Sequence, residues 1–540
     1  MNKSMIFAGI VASVVVCMPA FAQPAGNPCP RFTSGSMVTD PPNLFSRDGV
    51  LNVNLSYRST VDADGRTLFC FTTSDGKESP TLHVSPGDRL IVKVTNTLAQ
   101  PVPSTTLQLT TAGPNICGAA TQDTSSMNIH YHGTNTSPGC HGDDVIHTMV
   151  NAGQSFDYSL LFPLDEPPGL YWYHSHVHGN AEGAVLGGAS GAIVVAGIQN
   201  VQAATAGIPQ RLLVVRDQIV AGGLTPGGVN NVPSWDLSVN YVPIAYPGYN
   251  PAIISMRPGQ RELWRVANSS ADSILDLQLE YDGKPQTLQL VALDGVPTGS
   301  QDGTRKGTLV PRTHILIPTA GRAEFIVTGP DVSVKKANLM TLSIDTGPTG
   351  DNDPTRPLIA IHTNRLAALP PMVPPVSAAA VPQRFEGLDS ETVSAQRKLY
   401  FSEVISDPNN PLSPTNFFIT VEGATPTLFS ANNPPAVVTH QGAVEDWTIE
   451  NHATERHEFH FHQIHFLLME ANGVPVPPQD RQFLDMVDLP YWSGVTGDPY
   501  PSVKVRMDFR GPDVGDFVYH CHILGHEDNG MMAIIRVLPR

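Results

Sequence analysis

Apolar and polar residues alternate with a period of two over much of the chain. Residues 156–162, 191–196, 211–215, 324–327, 416–421, 503–509 and 533–537 each turn every second side chain to one face, which predicts half-buried β-strands. Few segments hold a helical period. One pattern occurs three times, at 81–96, 252–268 and 436–451: a short strand, a Gly turn, then an alternating strand that ends in Asn. Gly87 to Asn96, Gly259 to Asn268 and Gly442 to Asn451 are all nine residues apart, and the copies follow one another at 172 and 183 residues. A period of that size marks duplicated domains rather than a solenoid.

We therefore expect an all-β chain of three consecutive domains, built as small Greek-key barrels or antiparallel sandwiches. The expected boundaries are a signal peptide at 1–22, domains at 23–200, 201–368 and 398–540, and a Pro/Ala-rich linker at 369–397. A chain of 540 residues exceeds what one hydrophobic core supports, in keeping with this division. Gly 46 and Pro 49 suit a turn-rich β-protein, and 41% hydrophobic content argues against disorder. The net charge of −17, without any Lys/Arg run, excludes nucleic acid as a partner and favours cationic over anionic substrates.

The first residues read Met1-Asn2-Lys3, an apolar stretch at 5–16, then Ala20-Phe21-Ala22 before Gln23, the layout of a secretory signal with an A-x-A cleavage site. No segment offers a membrane-length apolar run, so the expected location is periplasmic or secreted, without a membrane span. Cys17 lies inside the signal, and the preceding valines argue against a lipoprotein anchor there. Cleavage leaves Cys29, Cys70, Cys117, Cys140 and Cys521. The first four allow three pairings, of which Cys117–Cys140 with Cys29–Cys70 is preferred. The odd cysteine, Cys521, stands between two histidines.

Thirteen of the nineteen histidines fall in four windows, 130–132, 174–178, 452–465 and 520–526. Each window holds a His-x-His: His130-Tyr131-His132, His174-Ser175-His176, His460-Phe461-His462 and His520-Cys521-His522. On a strand, residues i and i+2 share a face, so each pair aims two imidazoles at one point. Burying eight imidazoles without a ligand would leave many polar nitrogens desolvated, so the pattern points to metal. In the last pair Cys521 faces away from its neighbours, and His457, His526 and Met531 lie within reach in sequence. Two His, one Cys and a weak axial Met form a blue-copper ligand set, whereas zinc would want four strong ligands.

With His130-Tyr131-His132-Gly133, His174-Ser175-His176, His457-Glu458-Phe459-His460-Phe461-His462 and His520-Cys521-His522-x3-His526-x4-Met531, the chain resembles multicopper oxidases of the laccase type in segment order and spacing. The resemblance implies three cupredoxin-like domains, with copper ligands only in the first and third. It implies four copper ions: a type 1 copper on His457, Cys521, His526 and Met531, a type 2 copper on His130 and His460, and a type 3 pair on His132, His174, His176, His462, His520 and His522. It also implies that a small reducing substrate gives single electrons at the type 1 site and that O2 is reduced to water at the other three coppers, with Cys521 as the link. Asp143, ahead of Asp144, is the expected proton-relaying acid. Where several relatives carry a Glu before the second type 1 His, this chain has Gly525. Asp485 is expected near the type 1 site, orienting a ligand or meeting substrate, with a salt-bridged structural role as the alternative, and His178, His452 and His465 as supporting rather than ligating residues.

Phenols and aromatic amines lead as substrates because the methionines are dispersed. A metallo-oxidase acting on Cu(I), Fe(II) or Mn(II) comes next, and no Met-rich insert marks cuprous activity. A copper-free scaffold would be expected to have lost ligands, and none is missing. A nitrite reductase or a simple blue electron carrier would not need the six type 3 histidines. The oligomeric state and physiological substrate are left open.

Overall fold

The period-two segments form strands in the computed structural model, which describes residues 27–99, 117–119, 121–221, 232–300, 307–364, 366, 384–407 and 413–540. The expected signal peptide, Cys17 and residues 369–383 of the expected linker lie outside the described residues. In Ser155–Leu161 buried and exposed side chains alternate without exception, and Arg89–Asn96 behaves similarly. All seven alternating runs read from the sequence lie in strands or at their ends.

Six larger sheets pair into three successive units. In the first, a five-stranded sheet carrying His130–His132 and Leu170–His174 packs on a four-stranded one. The second unit combines sheets of eight and six strands, and the third combines sheets of seven and five. Each unit encloses its own apolar core, with Phe71 and Tyr173 in the first, Trp264 and Phe325 in the second, and Trp447 and Phe461 in the third. The expected all-β architecture is thus found. Residues 384–397 do not behave as an extended linker. Phe385 and Leu388 are buried with Val296, Leu467 and Phe483, and a strand begins at Ala395. Their apolar side chains complete a seam between the second and third units.

The terminal Asn of the threefold repeat has the same task in each unit. Asn96 accepts from Leu98 N–H and donates through Nδ2 to the carbonyls of Ser125 and Val150. Asn268 accepts from Ser270 N–H and donates to the carbonyls of Ser273 and Ile317. Asn451 accepts from Ala453 N–H and donates to the carbonyls of Glu455 and Pro490. All three are fully buried. Only a planar amide supplies an acceptor and two donors in one rigid group, so the strand end is tied to two crossing loops.

The preferred disulfides are present, Cys29–Cys70 and Cys117–Cys140, and Cys521 is free and buried. No helix among the described residues is long and apolar enough to cross a membrane. Asn268→Asp exchanges the buried donors for a carboxylate facing carbonyl oxygens. Urea unfolding should show the second unit destabilised by at least about 2 kcal/mol.

Candidate metal centre

Strand register brings the histidine pairs together. His130–His132 runs antiparallel to Leu170–His174 with His130 opposite His174, and His457–Phe461 runs antiparallel to Gly515–Cys521 with His460 opposite His520. The first and third units then meet face to face. The rings of His130 and His462 stack at 3.9 Å and those of His132 and His460 at 4.0 Å. All eight imidazoles of the four pairs are at most 1% exposed.

Ligand atoms of His132, His174 and His522 lie within 4.8 Å of one another, as do those of His176, His462 and His520, and those of His130, His132 and His460. Burial, reinforced at most of these rings by neighbouring imidazoles, lowers their pKa values, so they are neutral and keep a lone pair. His130 Nε2, His132 Nδ1, His174 Nε2, His176 Nδ1, His460 Nε2 and His462 Nδ1 have no hydrogen-bond partner. In the group of His176, His462 and His520 it is the Nε2 atoms that meet, 3.2 and 3.1 Å from His520 Nε2, and buried neutral imidazole nitrogens converging in threes are the chemistry of a transition-metal site.

Cys521, the last residue of the strand Gly515–Cys521, serves a second centre. Cys521 Sγ lies 3.6 Å from His457 Nδ1 and 3.7 Å from His526 Nδ1, and the two nitrogens are 3.1 Å apart. Met531, fully buried, belongs to the same core. Burial pushes the Cys521 thiol well above its usual pKa, a penalty that a cation bonded to the sulfur removes. The donor set therefore fits copper at both places.

Carboxylates fix the rings from behind. His130 Nδ1–H donates to Asp143 at 2.9 Å, which also accepts from Tyr131 N–H and the Gln463 amide. That bond leaves Nε2 of His130 as the free lone pair. Burial raises the Asp143 pKa to about 7.

Asp485 is not beside the Cys521 site, contrary to the sequence expectation. It accepts from His132 Nε2–H at 3.3 Å, its backbone carbonyl accepts from His460 Nδ1–H at 2.8 Å, and His465 Nε2 is 3.6 Å away. The cause is register: Met486 pairs with His460 and Leu489 with His457, so residue 485 falls at the cluster end. Arg322, from the second unit, grips both Asp485 oxygens and also donates to the carbonyls of Ala320 and Leu170.

Sequence reading missed Glu527. Its carboxylate, fully buried and without a hydrogen-bond partner, lies 3.7 Å from His176 Nδ1 and 3.9 Å from His520 Nδ1. The acid sought at position 525 thus stands two residues later, in the short helix Leu524–Asp528. The sequence His526-Glu527-Asp528 was the available signal. His465 donates to the Asp294 carbonyl at 2.8 Å, His452 pairs with Glu450, and His178 packs its ring edge against Phe429.

Three cupredoxin-like units with a Cys/His site and a shared histidine cluster thus offer donor sets suited to copper at two places. Multicopper oxidase family models match residues 119–200 and 405–540, the segments that carry the histidine pairs and the Cys521 site. The chain is 33% identical over 72 residues to multicopper oxidase mco of Staphylococcus haemolyticus, covering 13% of this chain and 14% of that protein. It is 37% identical over 68 residues to multicopper oxidase LPR1 homolog 5 of Oryza sativa subsp. japonica, covering 13% and 9%. The matched stretches thus span only a small part of those relatives' length.

Similar solved structures include a multicopper oxidase from Campylobacter jejuni described as a metallo-oxidase (TM-score 0.66, 20% identity, 96% of this chain and 99% of that one). Others are McoA from Aquifex aeolicus (0.67, 17%, 94% and 100%) and the laccase-like CueO from Ochrobactrum sp. (0.63, 18%, 93% and 100%). At these identities the likeness concerns the fold.

Arg322→Met would leave Asp485 buried without its counter-charge. The expected cost is about 3–5 kcal/mol, read as a lower denaturation midpoint of the metal-free protein.

Proposed function

We propose that the chain is an oxidase that takes single electrons from a cationic reductant beside His526 and passes them by way of Cys521 to O2 at the histidine cluster. In this reading four copper ions are held as the resemblance implies: one by His457, Cys521, His526 and Met531, one by His130 and His460, and two by His132, His174, His522 and His176, His462, His520. When bound, copper supplies one-electron redox chemistry at the cysteine site and a multi-electron centre for O2 at the cluster.

The chain's own residues do the rest. Cys521 is bonded through the backbone to His520 and His522, and His520 Nδ1–H donates to the Cys521 carbonyl at 2.8 Å, which gives a short path between the centres. Asp143 holds the His130 tautomer, and Glu527 faces His176 and His520, so two buried carboxyl groups stand against the cluster where they can relay protons. Complete burial of the eight imidazoles keeps bulk water away.

One observation carries the choice of substrate. A cavity of about 230 Å³ opens beside His526, lined by Glu182, Asp272, Asp351 and Glu455, with Trp235 and Phe417 as aromatic walls. Asp272 is 4% exposed, and its Oδ2 has no hydrogen-bond partner. Glu455 Oε1 lies 3.3 Å from His526 Nε2. Arg456, the one Lys or Arg lining the cavity among the described residues, is engaged by Asp488 and the Asp345 carbonyl. Burial first, then mutual repulsion, raises the Asp272 pKa well above the carboxylate range, and a cation in the cavity relieves both.

Oxygen donors without a thioether suit Fe(II) or Mn(II) better than Cu(I). The pocket therefore moves a metal ion ahead of phenols, which led on sequence alone. Trp235 and Phe417 favour a second reading, a protonated aromatic amine. An exported location is supported by the two disulfides.

Oxygen uptake by the copper-loaded protein should respond to Fe(II) or Mn(II). Asp272→Asn should raise KM for these ions about tenfold, or ~1.4 kcal/mol, while leaving oxidation of a neutral phenol unchanged. An equal effect on both substrates, or turnover of neutral phenols alone, would defeat the cation site. Because the cation displaces protons from raised carboxylates, its KM should fall as pH rises. Cys521→Ser should abolish the intense blue absorption and all oxygen uptake, and retention of either would defeat the copper assignment.

A further inference from the structure

His522 stands apart within the cluster. One ring nitrogen of each of five others meets a carboxylate or a carbonyl: Asp143 for His130, Asp485 and its carbonyl for His132 and His460, and backbone carbonyls for His174 and His520. His176 and His462 meet the His520 ring, Nε2 to Nε2, with Nδ1 unpartnered. Both ring nitrogens of His522 lack a hydrogen-bond partner. Its ring packs among Trp172, His132 and His174, and the hydrogen bonds that hold it are those of its backbone, where both groups are engaged. His522 N–H donates to the Glu458 carbonyl at 2.9 Å, and the His522 carbonyl accepts from the Thr319 hydroxyl at 2.7 Å.

Thr319 comes from the second unit, which supplies no ligand. It is fully buried in the turn between the strands Ile315–Ile317 and Arg322–Thr328. Its backbone N–H donates to the Glu458 carboxyl at 2.9 Å, and its hydroxyl also meets that carboxyl. Glu458 N–H in turn points at Cys521 Sγ at 3.4 Å. One side chain of the middle unit thus joins the strand of the cysteine centre to the peptide that carries His522.

We infer that Thr319 is a positioning residue for electron delivery: its hydroxyl sets the orientation of His522, and through it the coupling between Cys521 and the cluster. The inference rests on the proposed role of His522 as a cluster ligand. Metal-ligating histidines are usually oriented through their second ring nitrogen. Here the same task falls to the peptide carbonyl, reached from another domain.

The test compares Thr319→Val, which keeps the shape and removes the hydroxyl, with Thr319→Ser, which keeps the hydroxyl. In copper-loaded protein, Val should keep the blue absorption and its electron paramagnetic signature while altering the spectrum of the cluster coppers. Anaerobic stopped-flow should show transfer of an electron from the blue centre to the cluster slowed at least about tenfold, a size typical of lost ligand support. Ser should behave like the parent protein. Parent-like transfer and cluster spectra in Val, or a Ser variant as impaired as Val, would overturn the inference. If Val does not fold, Thr319→Ala against Thr319→Ser decides by the same readouts: Ala slow and Ser parental supports the role, and equal behaviour overturns it. A parent protein that takes up no copper would remove the copper reading and this inference together, and is seen before any variant is made.

Discussion

Eight imidazoles sealed from water between two β-units are the constraint around which the molecule is arranged. Each buried ring forfeits hydration at two nitrogens, and a protein with only about 5–15 kcal/mol of net stability cannot leave many such atoms unsatisfied. The structure answers asymmetrically. Five of the rings have one nitrogen held by a carboxylate or a backbone carbonyl, and ring nitrogens of the eight converge in threes. Carboxylates that do the binding, Asp143 and Asp485, are buried as completely as the rings they serve. Their own desolvation is offset in turn by Gln463 and Arg322.

This chain of compensation gives the middle unit, which places no histidine in the cluster, a part in the site. Arg322 neutralises Asp485, Asp294 accepts from the backbone of residues 485 and 486, and Thr319 secures Glu458 and His522. Gly133, which follows the first His pair, belongs to the same arrangement. With φ of +81° it has no Cβ, and one there would collide with Arg322 and Asp485. The middle unit is thus the outer wall of the cluster, and its charged side chains reach where ordinary packing could not.

The parts of the site legible in the sequence were those governed by local periodicity. A His-x-His on a strand has one geometric meaning, so the four pairs and the opposite facing of Cys521 followed from a period of two. The threefold Gly-to-Asn spacing was equally clear, because a buried Asn at a strand end has a fixed job. Asp485 was misplaced because its neighbours carry no sign of strand register, and register alone decides whether it lies beside His457 or His460. Thr319 and Arg322 were invisible, since neither is a metal-ligand type and each acts across a domain boundary. Phe385 and Leu388 lay in a Pro/Ala-rich context that read as linker, although their burial depends on partners from distant segments of the second and third units. The acidic pocket could not be read either, since its four carboxylates come from positions 182, 272, 351 and 455.

The stacking of His130 on His462 and of His132 on His460 has a consequence for biogenesis. The first and third units each offer only half of the histidine cluster, and the stacked pairs His130–His462 and His132–His460 join residues 332 and 328 positions apart in the chain. A complete set of donors exists only after the first and third units have docked across the second. An ion held between them binds the docked form and not the separated one, so by mass action it acts as a rivet, stabilising the joint that created its site. Maturation of the centre and closure of the three-unit body are therefore one thermodynamic event, and the last domain to be synthesised completes the cluster.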